Sequence, residues 1–123
     1  MQEFRNAIER RDLDALTALL AEDVVFRSPV VYKAYEGRDQ VVILLAAVAQ
    51  VFEDFRYTRQ IGAPDAADSA LVFTARVGDR EVEGCDFIHT GDDGLIDELY
   101  VMVRPMSGLT ALAEAMKQQL EAA

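Results

Sequence analysis

The chain predicts an α+β fold in which a mainly antiparallel sheet is built around one long helix. Three observations in its 123 residues carry that expectation. Helical periodicity fills the first half and is broken by one strand-like run. Four strand-like runs then follow one another with no helix between them, and an amphipathic helix closes the chain. Consecutive strands joined by short turns pair antiparallel, because a parallel pair needs a crossover of a dozen residues or more.

Residues 2–10 place Phe4, Ala7 and Ile8 at helical spacing, and residues 13–21 repeat the pattern with Leu13, Leu16, Leu19 and Leu20. Asp12 stands where a carboxylate can accept from the free amides that start the second helix. Val24, Val25, Phe26 and Arg27 form a strand that stops at Ser28 and Pro29, where the missing proline amide interrupts any ladder. A loop with Tyr32, Tyr35 and Gly37 follows. From residue 38 to 53 apolar side chains fall at 41, 44, 45, 48, 51 and 52, and Val42 and Ile43 widen the stripe, which predicts a helix covered on most sides.

The four strand-like runs are 55–61, 70–77, 81–90 and 95–104. Turn chemistry separates them: Gly62, Pro64 and Asp65, then the two-residue hairpin Gly78-Asp79, then Gly91 to Gly94. Ser107 is placed to cap a last helix carrying Leu109, Leu112, Ala113, Met116 and Leu120 on one side. In the last strand Leu99, Val101 and Val103 point to one face while Tyr100 and Met102 point to the other, so both faces are apolar. One face suits the long helix. The other predicts a homodimer with Tyr100 and Met102 at the contact, a docked C-terminal helix being the alternative.

With 12 Lys and Arg against 22 Asp and Glu the net charge is −10, which repels phosphate backbones and excludes nucleic acid and anionic membranes as expected partners. Hydrophobic residues make up 51% of the chain, enough for a core, and the expectation is one domain over residues 1–123. The longest apolar run, 41–49, is less than half of the roughly 20 residues a spanning helix needs. The charged start MQEFRNAIERR does not resemble a signal peptide. A single Cys gives no internal disulfide, and a cytoplasmic protein is the expectation. With one His and one Cys no soft-metal site is expected, and no motif suggests a cofactor.

This order of elements, with the strings RRDLDALTALLAEDVVF, SPVVYKAYEGRDQV and DFIHTGDDGLIDELYVMVRP, resembles the nuclear transport factor 2-like superfamily in its SnoaL-like and ketosteroid-isomerase-like branch. The resemblance covers roughly residues 2–105 and implies a cystatin-like cone, in which a curved sheet wraps the long helix around an apolar cavity and the outer sheet face makes a dimer. It also implies ligand-pocket positions at Phe4, Phe26, Ser28, Tyr32, Tyr35, Leu99, Val101 and Val103, packing of the two tyrosines against the long helix being an equal alternative. Steroid isomerases of this branch carry a tyrosine on the first helix, an aspartate base before the proline of the first strand and a second acid on the penultimate strand. Counted from the matched strings, these positions hold Phe4, Ser28 and Asp86. A phenyl ring donates no hydrogen bond and a lone serine is a poor base, so steroid isomerisation by that machinery is not expected.

Asp86 is the one candidate catalytic residue. Alternation along Gly84-Cys85-Asp86-Phe87-Ile88 puts it on one face with Gly84 and Ile88, and a carboxyl in an apolar cavity should have a raised pKa. It then acts as hydrogen-bond donor to a carbonyl or as a base; the alternative is a buried structural acid satisfied by a tyrosine hydroxyl or a backbone amide. Cys85 and His89 share the opposite face, too far apart for nucleophile and base at about 13 Å along a strand. Cys85 is expected to pack as a small hydrophobe, and His89 to lie at the outer face or interface. Tyr57 is expected to share a face with Phe55 and Ile61 as core or interface. Three functions stay open: a proton-transfer enzyme of isomerase, cyclase or dehydratase type on an apolar carbonyl compound, a non-catalytic ligand-binding or interaction dimer that keeps the cavity, or, if the cavity is closed and filled, a purely structural dimer.

Overall fold

A computed structural model describes residues 2–121. The first two helices, α1 (Gln2–Arg10) and α2 (Leu13–Leu19), meet at a turn in which Arg11 takes a positive φ of 54° and Asp12 caps α2. The Asp12 carboxylate accepts from the amide of Ala15 at 3.1 Å, as expected of its position. Helix α2 ends earlier than its periodicity suggests. Leu20 already belongs to β1 (Leu20–Arg27), where it pairs with Ile96, so tertiary pairing overrides a local helical preference.

The expected loop around Tyr35 contains a two-residue strand, β2 (Tyr35–Glu36), antiparallel to β1 through Val25↔Glu36 and Phe26↔Tyr35. Helix α3 (Arg38–Val51) buries Val41, Leu44 and Ala47 but leaves Ile43 61% exposed. Its wide apolar stripe is therefore covered less completely than expected: the sheet and two helices flank it, and one side stays in solvent.

The remaining strands are β3 (Glu53–Ile61), β4 (Asp68–Val77), β5 (Arg80–Thr90) and β6 (Ile96–Arg104). They join β1 and β2 in one sheet of order β2-β1-β6-β5-β4-β3, antiparallel throughout except where β1 runs parallel to β6. Gly78 supplies the positive φ of 59° that the β4–β5 hairpin requires. Register shifts in β1, β3 and at the β5–β6 end bend the sheet, as bulges do.

Helix α4 (Met106–Glu121) starts with the Pro105 carbonyl accepting from the amide of Leu109 at 2.9 Å. Ser107 falls inside the first turn and is not the cap expected of it. The helix seats on the inner face of the sheet at Gly108, where a Cβ would lie 2.5 Å from Cγ1 of Val82 and 2.9 Å from the Glu81 carbonyl. The helices thus cover only the inner face of β6. Leu99 is fully buried under the helices, whereas Tyr100 and Met102 face outward and are left uncovered by α4.

Candidate functional site

The site is built on β5. Its alternation buries Val82, Gly84, Asp86 and Ile88 on the inner face, and the ladder sets Leu71 and Val101 on either side of Asp86. Gly84 is required by its neighbour: a Cβ there would lie 2.3 Å from Cζ of Phe73 and 2.7 Å from the Met102 carbonyl. The absent side chain lets the tip of the Phe73 ring reach the backbone of the strand. Phe52 and Phe55 pack on that ring at 5.6 and 4.9 Å, and Tyr57 meets Phe55 edge-on at 5.0 Å and 88°. This aromatic group aims the phenol.

The Tyr57 hydroxyl donates to Oδ2 of Asp86 at 2.9 Å, across β4 and 29 residues away in sequence. Sequence parity puts Tyr57 on one face with Phe55 and Ile61. It does share the inner face with Phe55, but a bulge between Tyr57 and Arg59 pairs Ile61 with Ala70 and leaves it 51% exposed. A tyrosine hydroxyl is the partner expected of a buried structural acid at this position; that it is Tyr57 was signalled only by the parity of that residue on β3.

Asp86 is the one charged or polar residue buried in the core among those described, at 9% exposure. Burial pushes its pKa up from 3.8 to about 7, against the Tyr57 hydrogen bond, which favours the charged form. Burial likewise pushes the Tyr57 phenol far above its ordinary range, with the Asp86 charge adding to the effect, so Tyr57 remains a donor at any working pH.

A cavity of about 790 Å³ opens above this pair, between the sheet and the helices. Phe4, Phe26, Ser28, Tyr35, Leu99, Val101 and Val103 line it, together with Tyr57 and Asp86. Val48, Leu112 and Met116 close it from α3 and α4, and the exposed Glu9, Asp54, Glu114 and Lys117 mark where it meets solvent. Tyr32 does not take the pocket position that the resemblance implies. It is fully exposed at 102% and stands outside the cavity. The reason is the turn at Ser28, whose Oγ accepts from the amides of Val30 at 2.9 Å and Val31 at 3.3 Å. That turn gives the wall to Val30 and Val31 and sends Tyr32 into solvent.

The outer face carries Cys85, Phe87, His89, Tyr100 and Met102. Phe87 and Tyr100 meet edge-on at 6.4 Å, and the Arg27 guanidinium sits 5.9 Å above the Tyr100 ring while bonding Glu98 at 3.0 Å. His89 bonds Asp97 through Nδ1, and that hydrogen bond raises its pKa. Burial raises the Cys85 thiol, which keeps it a thiol rather than a nucleophilic thiolate. Neither side chain reaches Asp86 from this face. Among the described residues no cluster of His, Cys, Asp and Glu could hold a metal ion, and no helix is long and apolar enough to cross a membrane.

A bent six-strand sheet with a long helix across it, and an inward acid beneath a cavity between them, is an α+β architecture of the cystatin-like class. The chain belongs to the SnoaL-like domain family, which matches residues 1–99. It is similar to a steroid delta-isomerase from Pseudomonas aeruginosa, at 49% identity over 98% of this chain and 88% of that one, with a TM-score of 0.93. An uncharacterized protein with a cystatin-like fold from Silicibacter pomeroyi is 38% identical over 98% of this chain and 84% of its own, with a TM-score of 0.92. An NTF2-like protein of unknown function from Cytophaga hutchinsonii shares the fold alone, at 18% identity over 86% of this chain and 88% of that one, with a TM-score of 0.66. No functionally curated protein matches the chain.

Proposed function

We propose that the cavity binds an uncharged, largely apolar carbonyl compound and that Asp86 moves a proton at its carbonyl end. The observation that carries this reading is the position of Asp86, a buried carboxyl lining a mainly apolar cavity of about 790 Å³, with the Tyr57 hydroxyl on its Oδ2 at 2.9 Å. A carboxyl with a midpoint near 7 is present in both forms at neutral pH, which is what a general acid–base group requires. In its neutral form it donates to a carbonyl oxygen and meets the negative charge that develops there when the compound enolises or cyclises. Tyr57, which stays protonated, holds the carboxyl in one orientation.

Likeness to the Pseudomonas aeruginosa steroid delta-isomerase supports isomerase-type proton transfer. Phe4 offers no hydroxyl and Ser28 no carboxylate, so any such reaction here works through one acid–base group instead of a separate donor and base. The same two residues favour a second reading, a binding protein that keeps the cavity without turnover. Screening carbonyl compounds against the wild type and Asp86→Asn tests both. Enzymatic function predicts a loss of turnover of ~100-fold or more with the fold intact. Ligand binding without turnover in the wild type would select the binding module. Carbonyl binding that ignores Asp86→Asn would overturn the role of Asp86 in either.

We also infer that two copies pair through the outer sheet face. Support comes from Ile61, Phe87, Tyr100 and Met102, large apolar side chains between 39% and 54% exposed on that face. Sedimentation at micromolar concentration should show a dimer, and a monomer there would refute the pairing.

A further inference from the structure

We infer that Ser28 is a second, donor-only anchor in the cavity, and that the site takes a ligand with two hydrogen-bond acceptors on a rigid apolar skeleton, a diketone in the simplest case. This inference rests on the carbonyl-pocket reading above and adds the second contact.

The placement follows from strand register. Asp86 pairs with Val101, and β1 runs beside β6 with Phe26 opposite Leu99 and Arg27 opposite Tyr100. Ser28 is the first residue past the last registered pair of β1, so continuing that register places it beside Val101. Asp86, Val101 and Ser28 then follow one another across β5, β6 and the end of β1, and all three line the cavity. Two strand spacings separate the outer members by roughly 10 Å between Cα atoms. The two side chains stand off the sheet side by side, and their hydrogen bonds can lean inward. A ligand lying across Val101 therefore presents acceptors no more than about 10 Å apart, within the reach of a fused bicyclic skeleton.

The polarity at Ser28 follows from its bonds. A hydroxyl has one hydrogen and two lone pairs. The amides of Val30 and Val31 both donate to Oγ, at 2.9 and 3.3 Å, so the acceptor capacity is spent on the turn. The hydrogen is what remains to offer a ligand. Ser28 accordingly cannot accept a proton without breaking the turn, which gives it a recognition role distinct from that of a base. The other end of the row is a carboxyl that already accepts from Tyr57 and offers a hydrogen when neutral. Two donors on one wall of the cavity, with Val101 between them, pair with two carbonyl oxygens, and a skeleton with only one leaves a donor unpaired.

Calorimetric titration with a decalin diketone bearing one ketone on each ring, against the decalin monoketone, tests this below pH 7. The ratio of the two affinities within each variant is the readout, since it cancels general changes in the cavity. The wild type should prefer the diketone by about fivefold to tenfold, the worth of one hydrogen bond. Ser28→Asn, whose amide accepts from the turn and still donates, should keep a preference. Ser28→Asp keeps the turn acceptor but lacks the hydrogen, and Ser28→Ala lacks both; each should bring the ratio to about one. Equal binding of both probes by the wild type, or a ratio unchanged in Ser28→Asp and Ser28→Ala, would overturn the assignment while leaving the carbonyl pocket standing. Failure of both probes to bind would overturn the pocket reading and this inference with it.

Discussion

Replacing Asp86 by Asn should abolish a pH dependence of stability that the wild type carries. In the folded chain the carboxyl titrates at about 7, against 3.8 when unburied. Below the lower value both states hold the proton, and above the upper value neither does. Between them the folded state holds a proton that the unfolded state has released, so folding is increasingly disfavoured as pH rises. At about 1.4 kcal/mol per pH unit the accumulated loss is about 4 kcal/mol by pH 8, a large share of the 5–15 kcal/mol typical of a domain. Asn is nearly isosteric, still accepts from the Tyr57 hydroxyl and does not titrate. Its own burial cost is constant with pH, so the slope is diagnostic and the absolute stability is not. Urea unfolding of both proteins between pH 4 and pH 8 measures the difference, and surface carboxylates and His89, on the opposite sheet face, cancel between them. Wild type and Asp86→Asn should diverge steadily to about 4 kcal/mol. Parallel curves would refute the raised pKa and with it the physical basis for Asp86 as a cavity acid.

Binding of a neutral ketone should weaken as pH rises through about 7, because the donor form of Asp86 is then lost, and calorimetry across that range would show it. An affinity independent of pH would contradict hydrogen bonding by the neutral carboxyl. Gly84→Ala should destabilise the fold by about 1–3 kcal/mol, since the new methyl meets the Phe73 ring and an immobile backbone carbonyl. An unchanged melting temperature would show that the aromatic floor is looser than its contacts indicate. On a β,γ-unsaturated ketosteroid the protein should show little turnover, because Phe4 and Ser28 stand where a hydroxyl and a base are needed. Rates on the order of 1 to 1,000 per second would overturn that expectation.

Much of this protein is determined by the chain alone. Parity along β5 fixes which side chains accompany Asp86, Asp12 specifies the start of α2, and Gly78 specifies the hairpin, because each depends on neighbours within a few residues. The family resemblance and the departures at Phe4 and Ser28 are likewise carried by local strings. Other features depend on pairing between distant segments. Leu20 leaves its helix for a place beside Ile96, and the bulge after Tyr57 turns Ile61 outward. The Ser28 turn ejects Tyr32 and spends the serine's lone pairs, a matter of hydrogen-bond geometry that composition does not express. The contact between Tyr57 and Asp86 is decided last of all, since it requires β4 between their strands, a missing side chain at Gly84 to seat Phe73, and an aromatic stack to aim the phenol. Alternation assigns each residue to a face, but only the bent, registered sheet sets the distance between two side chains on that face.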